Sequence, residues 1–503
     1  MAAEALLRVF VLGSGFWFFT AIWSPPLPPP LPAACTRTSG PPLRVTLSHC
    51  VEEPFLYEAV CKAGFSPHFT WDTDFRSCGA ATDLAIVCGT NEVQPRLRDC
   101  APKGLYEGSR KVTYNPRFDI LAAKSGLCQA QNNASRALGV DFAFAPPCFT
   151  ADGPTGILEA DVHRRALLAA GNSSMWVAKK DSMGNGHGIY FLTAEELKGI
   201  EQLKVPVMQR AVTKVPTYQD RKLEIRSFLA VTSMDPPRIY VCNKGLYKTA
   251  GQPLVPEAAV RAMPMENRSS ILVANVHTED ESKYFGQVDE LKEEFQRQGL
   301  DVETVEKQIA EKITRAFLSV ANQTTCEGST QSCEGHVAFG ITDSLVDMEN
   351  KEPYLLELML AQQDWVFRGS WYSYPVHRPH ADAVARRSLT PLTSVALASL
   401  QPDVPSVDQS RYPPGMLSPA ATQLLEDPRT HAPVQAMIKE AHASASNQCT
   451  CLICQQPKLF MKFFPRGHAS SSFAHPWSAY YEIFRAEQTS SFQIAERTLP
   501  KEA

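Results

Sequence analysis

One stretch limits the fold of this chain more than any other: Arg221-Lys-Leu-Glu-Ile-Arg-Ser-Phe-Leu-Ala-Val-Thr-Ser-Met-Asp-Pro-Pro-Arg-Ile-Tyr-Val-Cys242. Leu223–Val231 and Arg238–Cys242 read as consecutive strands, joined by Thr232–Pro237, a turn that carries Asp-Pro-Pro. Side chains alternate across a strand. Lys222, Glu224 and Arg226 therefore share one face while Leu223 and Ile225 take the other. Arg238, on the next strand, is expected to join the charged row. Basic groups around one acid suit a polyphosphate or carboxylate ligand. The same pattern also serves as a salt-bridge ladder on an exposed sheet face.

The flanking segments continue in this style. Trp176-Val-Ala-Lys179 is a short strand ending in lysine. It leads through Asp181-Ser-Met-Gly184-Asn-Gly186-His-Gly188 into a second strand, Ile189–Leu192. Glycines let backbone N–H groups approach phosphates, although a Gly-rich hairpin without a ligand is equally common. Thr193 and Glu196 have the spacing of a capping box for a helix over Ala194–Leu203, and Val205–Val212 is strand-like. Helical spacing is read over Tyr284–Arg297 and Val302–Val320. In the second, Val305, Ile309, Ile313 and Phe317 form a core-facing stripe. Val337–Ile341 and Tyr354–Met359 read as strands around the turn Asp347–Lys351. Asp343 and Glu357 in this region could hold Mg²⁺ beside a nucleotide, although paired acids on a hairpin are also common without metal.

Composition sets the outer limits. The 503 residues allow two to four domains or one elaborated domain. With 49 Lys+Arg against 53 Asp+Glu, nucleic-acid binding through overall positive charge is not expected. Val9–Trp23 is an uncharged run after Arg8. It suits a secretory signal, or an anchor if counted from Ala5, and a proline spacer to Pro32 follows. There are 14 cysteines, eight of them between Cys35 and Cys148, with three more in Cys449-Thr-Cys451-Leu-Ile-Cys454. Behind a leader they point to disulfides. A zinc site with His431, His442 or His468 is the weaker alternative, because no second matched Cys pair is present. Sequons at Asn133, Asn172, Asn267 and Asn322 point the same way as the leader. The chain divides into a leader and spacer (1–34), a small α/β subdomain (43–150), a regular core (151–365) and a tail (366–503). The tail is expected to be irregular, broken by prolines such as Pro391, Pro405 and Pro419, with room for a helix near Pro433–Ser444. The G-x-x-x-x-G-K-[ST], G-x-S-x-G and H-E-x-x-H signatures are absent from the sequence.

Taken in order, these segments resemble the tubulin–tyrosine ligase-like family, whose members have an ATP-grasp fold. The resemblance runs from about Phe118 to Glu357. It is densest over Arg221–Val241, which looks like the family block R-K-F-D-I-R-x-Y-x-L-V-T-S-x-x-P-x-R-I-Y. It implies an α/β (α+β) protein with antiparallel-rich sheets and an N-terminal α/β subdomain. It also implies a ligase using ATP and Mg²⁺. Such an enzyme converts a carboxylate of a protein or peptide, at a C-terminal tail or a side chain, into an acylphosphate. The amine of a free amino acid (Tyr, Glu or Gly class) then attacks. Tubulin is the acceptor by family resemblance.

By the same resemblance, Lys124, Lys179, Gln209, Arg210 and Asn275 bind the nucleotide. Lys222, Glu224, Arg226 and Arg238 form the catalytic set, and Asp343 and Glu357 are the metal acids. Four departures stand out. The family's R-G-R-G loop is Asn185-Gly-His-Gly; K-F-D is Lys222-Leu-Glu224; H-L-T-N is Leu272-Val-Ala-Asn275; and an expected asparagine is Met359, whose thioether is a poor ligand for a hard cation. They open an alternative, a catalytically impaired ATP-grasp protein that binds nucleotide or peptide without turnover. Localisation is expected in the secretory pathway or at a membrane, with the cytoplasm as the alternative if the leader is not one.

Overall fold

The computed structural model describes residues 41–48, 54–71, 82–87, 111–112, 119–138, 142–150, 175–181, 188–197, 205–234, 237–242, 245–274, 285–324, 337–359, 389–400, 412, 415–427, 431–446, 449–452 and 479–488. The expected leader and spacer, most of the Gly184–Gly188 loop, the stretch Leu158–Ala170 (helical by its sequence) and the candidate ligand Asn275 lie outside these residues. Among the described residues, no helix is long and apolar enough to cross a membrane.

Near the N-terminus, β1 (Pro42–Ser48), α1 (Pro54–Lys62), β2 (Ser66–Trp71), β3 (Leu84–Val87) and β4 (Lys111–Val112) build a parallel sheet of order β2-β1-β3-β4. Parallel neighbours cannot be joined by a tight turn, and α1 makes the crossover from β1 to β2. Val45, Leu47, Ile86, Leu56 and Val60 are buried between the layers. The α/β character expected here is present.

Next come α2 (Asp119–Ala122), α3 (Lys124–Leu138) and a smaller antiparallel sheet of β5 (Cys148–Thr150), β6 (Trp176–Lys179), β7 (Ile189–Leu192) and β8 (Val207–Arg210), in the order β5-β8-β6-β7. The Thr193–Glu196 capping box forms as its spacing predicts. The Thr193 N–H donates to Glu196 at 2.8 Å and the Glu196 N–H to the Thr193 hydroxyl at 3.3 Å.

The large sheet contains β9 (Thr217–Tyr218), β10 (Arg221–Met234), β11 (Pro237–Cys242), β12 (Leu246–Pro253), β13 (Phe285–Gln287), β14 (Ala338–Asp347), β15 (Glu352–Met359) and β16 (Cys449–Cys451). The 14-residue β10 is its axis. Along one edge β12 pairs with its N-terminal half (Glu224↔Lys248) and β11 with its C-terminal half (Ser233↔Arg238). Along the other edge runs β14 (Arg226↔Asp343), followed by β15 (Asp343↔Glu357). Between β12 and β13 lie α4 (Glu257–Ala262) and α5 (Met265–Leu272). After β13 come α6 (Lys292–Arg297) and α7 (Val302–Thr324). The stripe Val305, Ile309, Ile313 and Phe317 on α7 is buried, as the spacing of four predicts.

Two expectations are corrected. Tyr284–Arg297 is not one helix: Phe285–Gln287 is a strand on β12, Val288–Leu291 a 3₁₀ turn, and the helix starts at Lys292. Sheet pairing overrides the helical spacing, and Gly286 permits it. A Cβ there would come within 2.4 Å of the Tyr247 ring. The tail is also more regular than expected, with α8 (Thr390–Ala398), α9 (Pro419–Glu426), α10 (His431–Ser446), β16 and a further helix over 479–488. Pro391 and Pro419 lie in the first turns of their helices, where a missing N–H costs no hydrogen bond. Every residue of α8 is buried. Disulfides join Cys128 to Cys148 and Cys242 to Cys449, and Cys61 and Cys451 are also disulfide-bonded. Among the described residues, no three His, Cys, Asp or Glu side chains are grouped to hold a metal.

Candidate functional site

The face of β10 that carries Lys222, Glu224 and Arg226 looks toward the smaller sheet across a cleft. The cleft is lined by Lys179, Gln209 and Arg210 from that sheet and by Lys222, Glu224, Asp343 and Glu357 from the large one. Apolar side chains complete it, among them Val177, Phe191, Leu272 and Leu356. About 580 Å³ of atom-free space, part of it open to solvent, lies between these side chains.

Strand register assembles the charges. Alternation points Lys222, Glu224 and Arg226 the same way, and all three are buried. Pairing with β14 sets Asp343 beside Arg226, which donates from Nε and Nη2 to the two carboxylate oxygens, both at 2.8 Å. Pairing with β12 brings in Lys248, which donates to Asp343 Oδ2 at 2.7 Å and lies 3.6 Å from Glu224. Lys222 lies 3.0 Å from Glu224 and donates to the Leu272 carbonyl at 2.6 Å. Lys124, the first residue of α3, lies 3.3 Å from Glu357. Lys179 reaches from the other sheet to the Leu356 carbonyl at 3.5 Å.

These neighbours set the ionisation states. Burial by itself raises the Asp343 carboxyl, but Arg226 and Lys248 outweigh it and hold the group well below the usual carboxylate range. Lys179 is dominated by burial, which lowers its ammonium to about 8 against the pull of Glu357. Apart from Arg210, which pairs with Glu349 at the rim, five cations (Lys179 and Lys222 in the lining, Lys124, Arg226 and Lys248 behind it) accompany three carboxylates (Glu224, Asp343, Glu357), a surplus of two positive charges. Such a wall attracts anions.

Of the sequence candidates, the structure therefore groups Lys124, Lys179, Gln209, Arg210, Lys222, Glu224, Arg226, Asp343 and Glu357. Gln209 is buried, with its amide 3.5 Å from the Pro146 carbonyl. Arg210 is exposed at the rim, 3.4 Å from Glu349. Arg238 does not join the row. It sits opposite Ser233, seven residues along β10 from Arg226, or roughly 23 Å at about 3.3 Å per residue. There it donates to Glu440 of α10 at 2.7 and 3.3 Å; Thr232 and Tyr240 bond the same carboxylate. Lys248 is the member that strand alternation within Arg221–Cys242 missed. Its placement depends on β12 following β11 along the same edge of β10, and the sequence signal was a lone lysine within Leu246-Tyr-Lys-Thr-Ala.

The acids do not fit a divalent cation well. Both oxygens of Asp343 already accept from Arg226 and Lys248, Glu357 is held by Lys124, and the next same-face position on β15 is Met359, with no oxygen or nitrogen to offer. The lysines, arginine and apolar walls do fit a nucleoside polyphosphate.

Residues 118–360 match the sequence model of the Tubulin-tyrosine ligase family, a span that holds every cleft residue named above. Among curated proteins, the chain is similar to the human tubulin polyglutamylase TTLL6, with 26% identity over 142 residues (28% of this chain, 15% of that protein). It is also similar to the Caenorhabditis elegans tubulin polyglutamylase ttll-5, with 23% identity over 275 residues (50% and 37%). The chain spans well under half the length of these curated relatives.

Proposed function

We propose that the cleft is the ATP site of a carboxylate–amine ligase of the tubulin-tyrosine ligase family, whose sequence model residues 118–360 match. The observation that carries this is the surplus of lysine and arginine over carboxylates in and behind the wall of a partly apolar cleft between two antiparallel sheets. In this reading the apolar residues and Gln209 take the base, while Lys124, Lys179, Lys222 and Arg226 face the phosphates. A carboxylate oxygen of the acceptor attacks the terminal phosphorus of ATP, and the bond to ADP breaks. The amine of an amino acid then attacks the acylphosphate carbon, an amide forms and phosphate leaves. The side chains position the reactants and neutralise charge, which is most of what phosphoryl transfer asks of a protein. Acceptors by family are protein carboxylates, and the names of the two relatives point to tubulin as the acceptor and to glutamate as the added amino acid.

A specific observation favours a second reading, nucleotide binding without turnover: Asp343 is engaged by two cations and Met359 stands beside the acids. One experiment separates the two. Purified protein is incubated with ATP, MgCl₂, single amino acids and tubulin-tail peptides, and ADP is followed together with peptide mass. A peptide gaining one residue mass with matching ADP supports the ligase. Bound ATP with no ADP above background supports the second reading, and absence of ATP binding removes both.

A further inference from the structure

Asp343 is one of the two acids expected to hold a metal in this cleft, and three N–H donors occupy it, two from Arg226 and one from Lys248. Lys248 is 1% exposed and also lies 3.6 Å from Glu224, so its ammonium sits between two carboxylates as a small cation would. The Asp343 neighbour across the hairpin, Glu357, has Lys124 at 3.3 Å. Beyond it, Met359 presents a thioether, and a hard dication takes oxygen ligands. A dication entering here meets two cations already at hydrogen-bond distance from its ligand. A phosphate chain meets a positive surplus.

We infer that the cleft takes up the polyphosphate of ATP without a divalent cation, the Lys248 ammonium supplying the positive charge beside Asp343 that a metal ion would otherwise supply. This rests on the nucleotide reading above and deepens it. Nucleotide binding becomes insensitive to chelation, and Mg²⁺ alone has no site in the cleft through which to stabilise the protein.

The test uses the full chain, titrated with ATP by calorimetry at constant ionic strength, once with MgCl₂ and once with EDTA. Thermal unfolding is read in parallel, including a sample with MgCl₂ and no nucleotide. The expected result is a Kd in EDTA within about threefold of that in MgCl₂, the same ATP-induced rise in Tm in both buffers, and no rise with MgCl₂ alone. Affinity that falls at least about tenfold in EDTA overturns the inference and leaves the nucleotide reading standing. No binding in either buffer overturns both. Lys248→Met, checked for folding by circular dichroism, is expected to make ATP binding depend on Mg²⁺. If that folded variant binds ATP in EDTA as tightly as the parent, Lys248 is not the substituting cation. If it does not fold, the comparison on the parent chain still decides the metal question.

Discussion

The two ends of β10 bury the same chemistry and use it differently. At the N-terminal half, Lys222, Glu224 and Arg226 join Lys248 and Asp343 beside a cleft, with cations in excess. At the C-terminal half, Arg238 meets Glu440 with Thr232 and Tyr240, and the carboxylate is surrounded by donors in a closed pocket of helix and sheet. One guanidinium against one carboxylate is neutral and satisfied. Buried charge alone therefore does not mark a ligand site. Unbalanced charge beside open space does, and strand register decides which charges are brought together.

If the Glu440 cluster is purely structural, breaking it should cost stability and leave ligand binding alone. Glu440→Ala strands the buried Arg238 and is expected to lower the unfolding free energy by about 3–5 kcal/mol. Denaturant unfolding measures this. The fraction that remains folded should bind ATP with unchanged Kd. A Kd that moved with Glu440 would join the two regions and break the comparison.

The Cys242–Cys449 bond supports the same end of the sheet, closing a sequence separation of 207 residues between β11 and β16. Replacing both cysteines with serine is expected to remove about 2–4 kcal/mol, mainly by enlarging the unfolded ensemble. The measurement is the Tm difference between parent and double variant, with peptide mapping without reductant to show the bond in the parent. Again the cleft should be indifferent.

Much of this division is legible in the sequence, and the part that is not has a definite cause. Lys222, Glu224 and Arg226 share a face because side chains alternate, which needs no knowledge of neighbours. Arg238 follows the same alternation on its own strand, but its partner is set by hairpin register, which places it beside Ser233 after an irregularity between Val231 and Ser233. Lys248 enters only because β12 continues the edge that β11 vacates. Phe285–Gln287 changes from expected helix to strand for a similar reason, an available edge on β12. The prolines of the tail read as breakers until their helix positions are known, and at the first turn a proline begins a helix as readily as it ends one. Within-strand periodicity is local, whereas register and helix starts are properties of what packs alongside.

At the cleft the expectation reverses: binding should change and stability should not fall. Lys179→Met removes an ammonium whose burial is unfavourable to its charge. ATP affinity is expected to drop at least about tenfold, or roughly 1.4 kcal/mol, while unfolding free energy stays level or rises. Calorimetry and denaturant unfolding on the same sample read both. A variant that lost stability and kept its affinity would move Lys179 into the structural class with Arg238.

The smallest effect is the most diagnostic, because the same lysine should move stability and binding in opposite directions. In the folded, ligand-free chain Lys179 titrates at about 8, below its ordinary value of 10.5. Between these values the unfolded chain carries more protons at this site, so its contribution to stability rises with pH across that window. Phosphate binding needs the ammonium, so affinity should fall as pH rises through about 8, with about one proton taken up per ATP bound at the upper end. Calorimetry in buffers of different ionisation enthalpy measures that proton. Arg238 and Tyr240 are both raised in the Glu440 cluster, so that end of the strand does not titrate in this window. Lys179→Met should flatten the affinity profile and abolish the proton uptake. A pH-dependent affinity that survived the substitution would assign the titration to another group and leave the lysine surplus without its most exposed consequence.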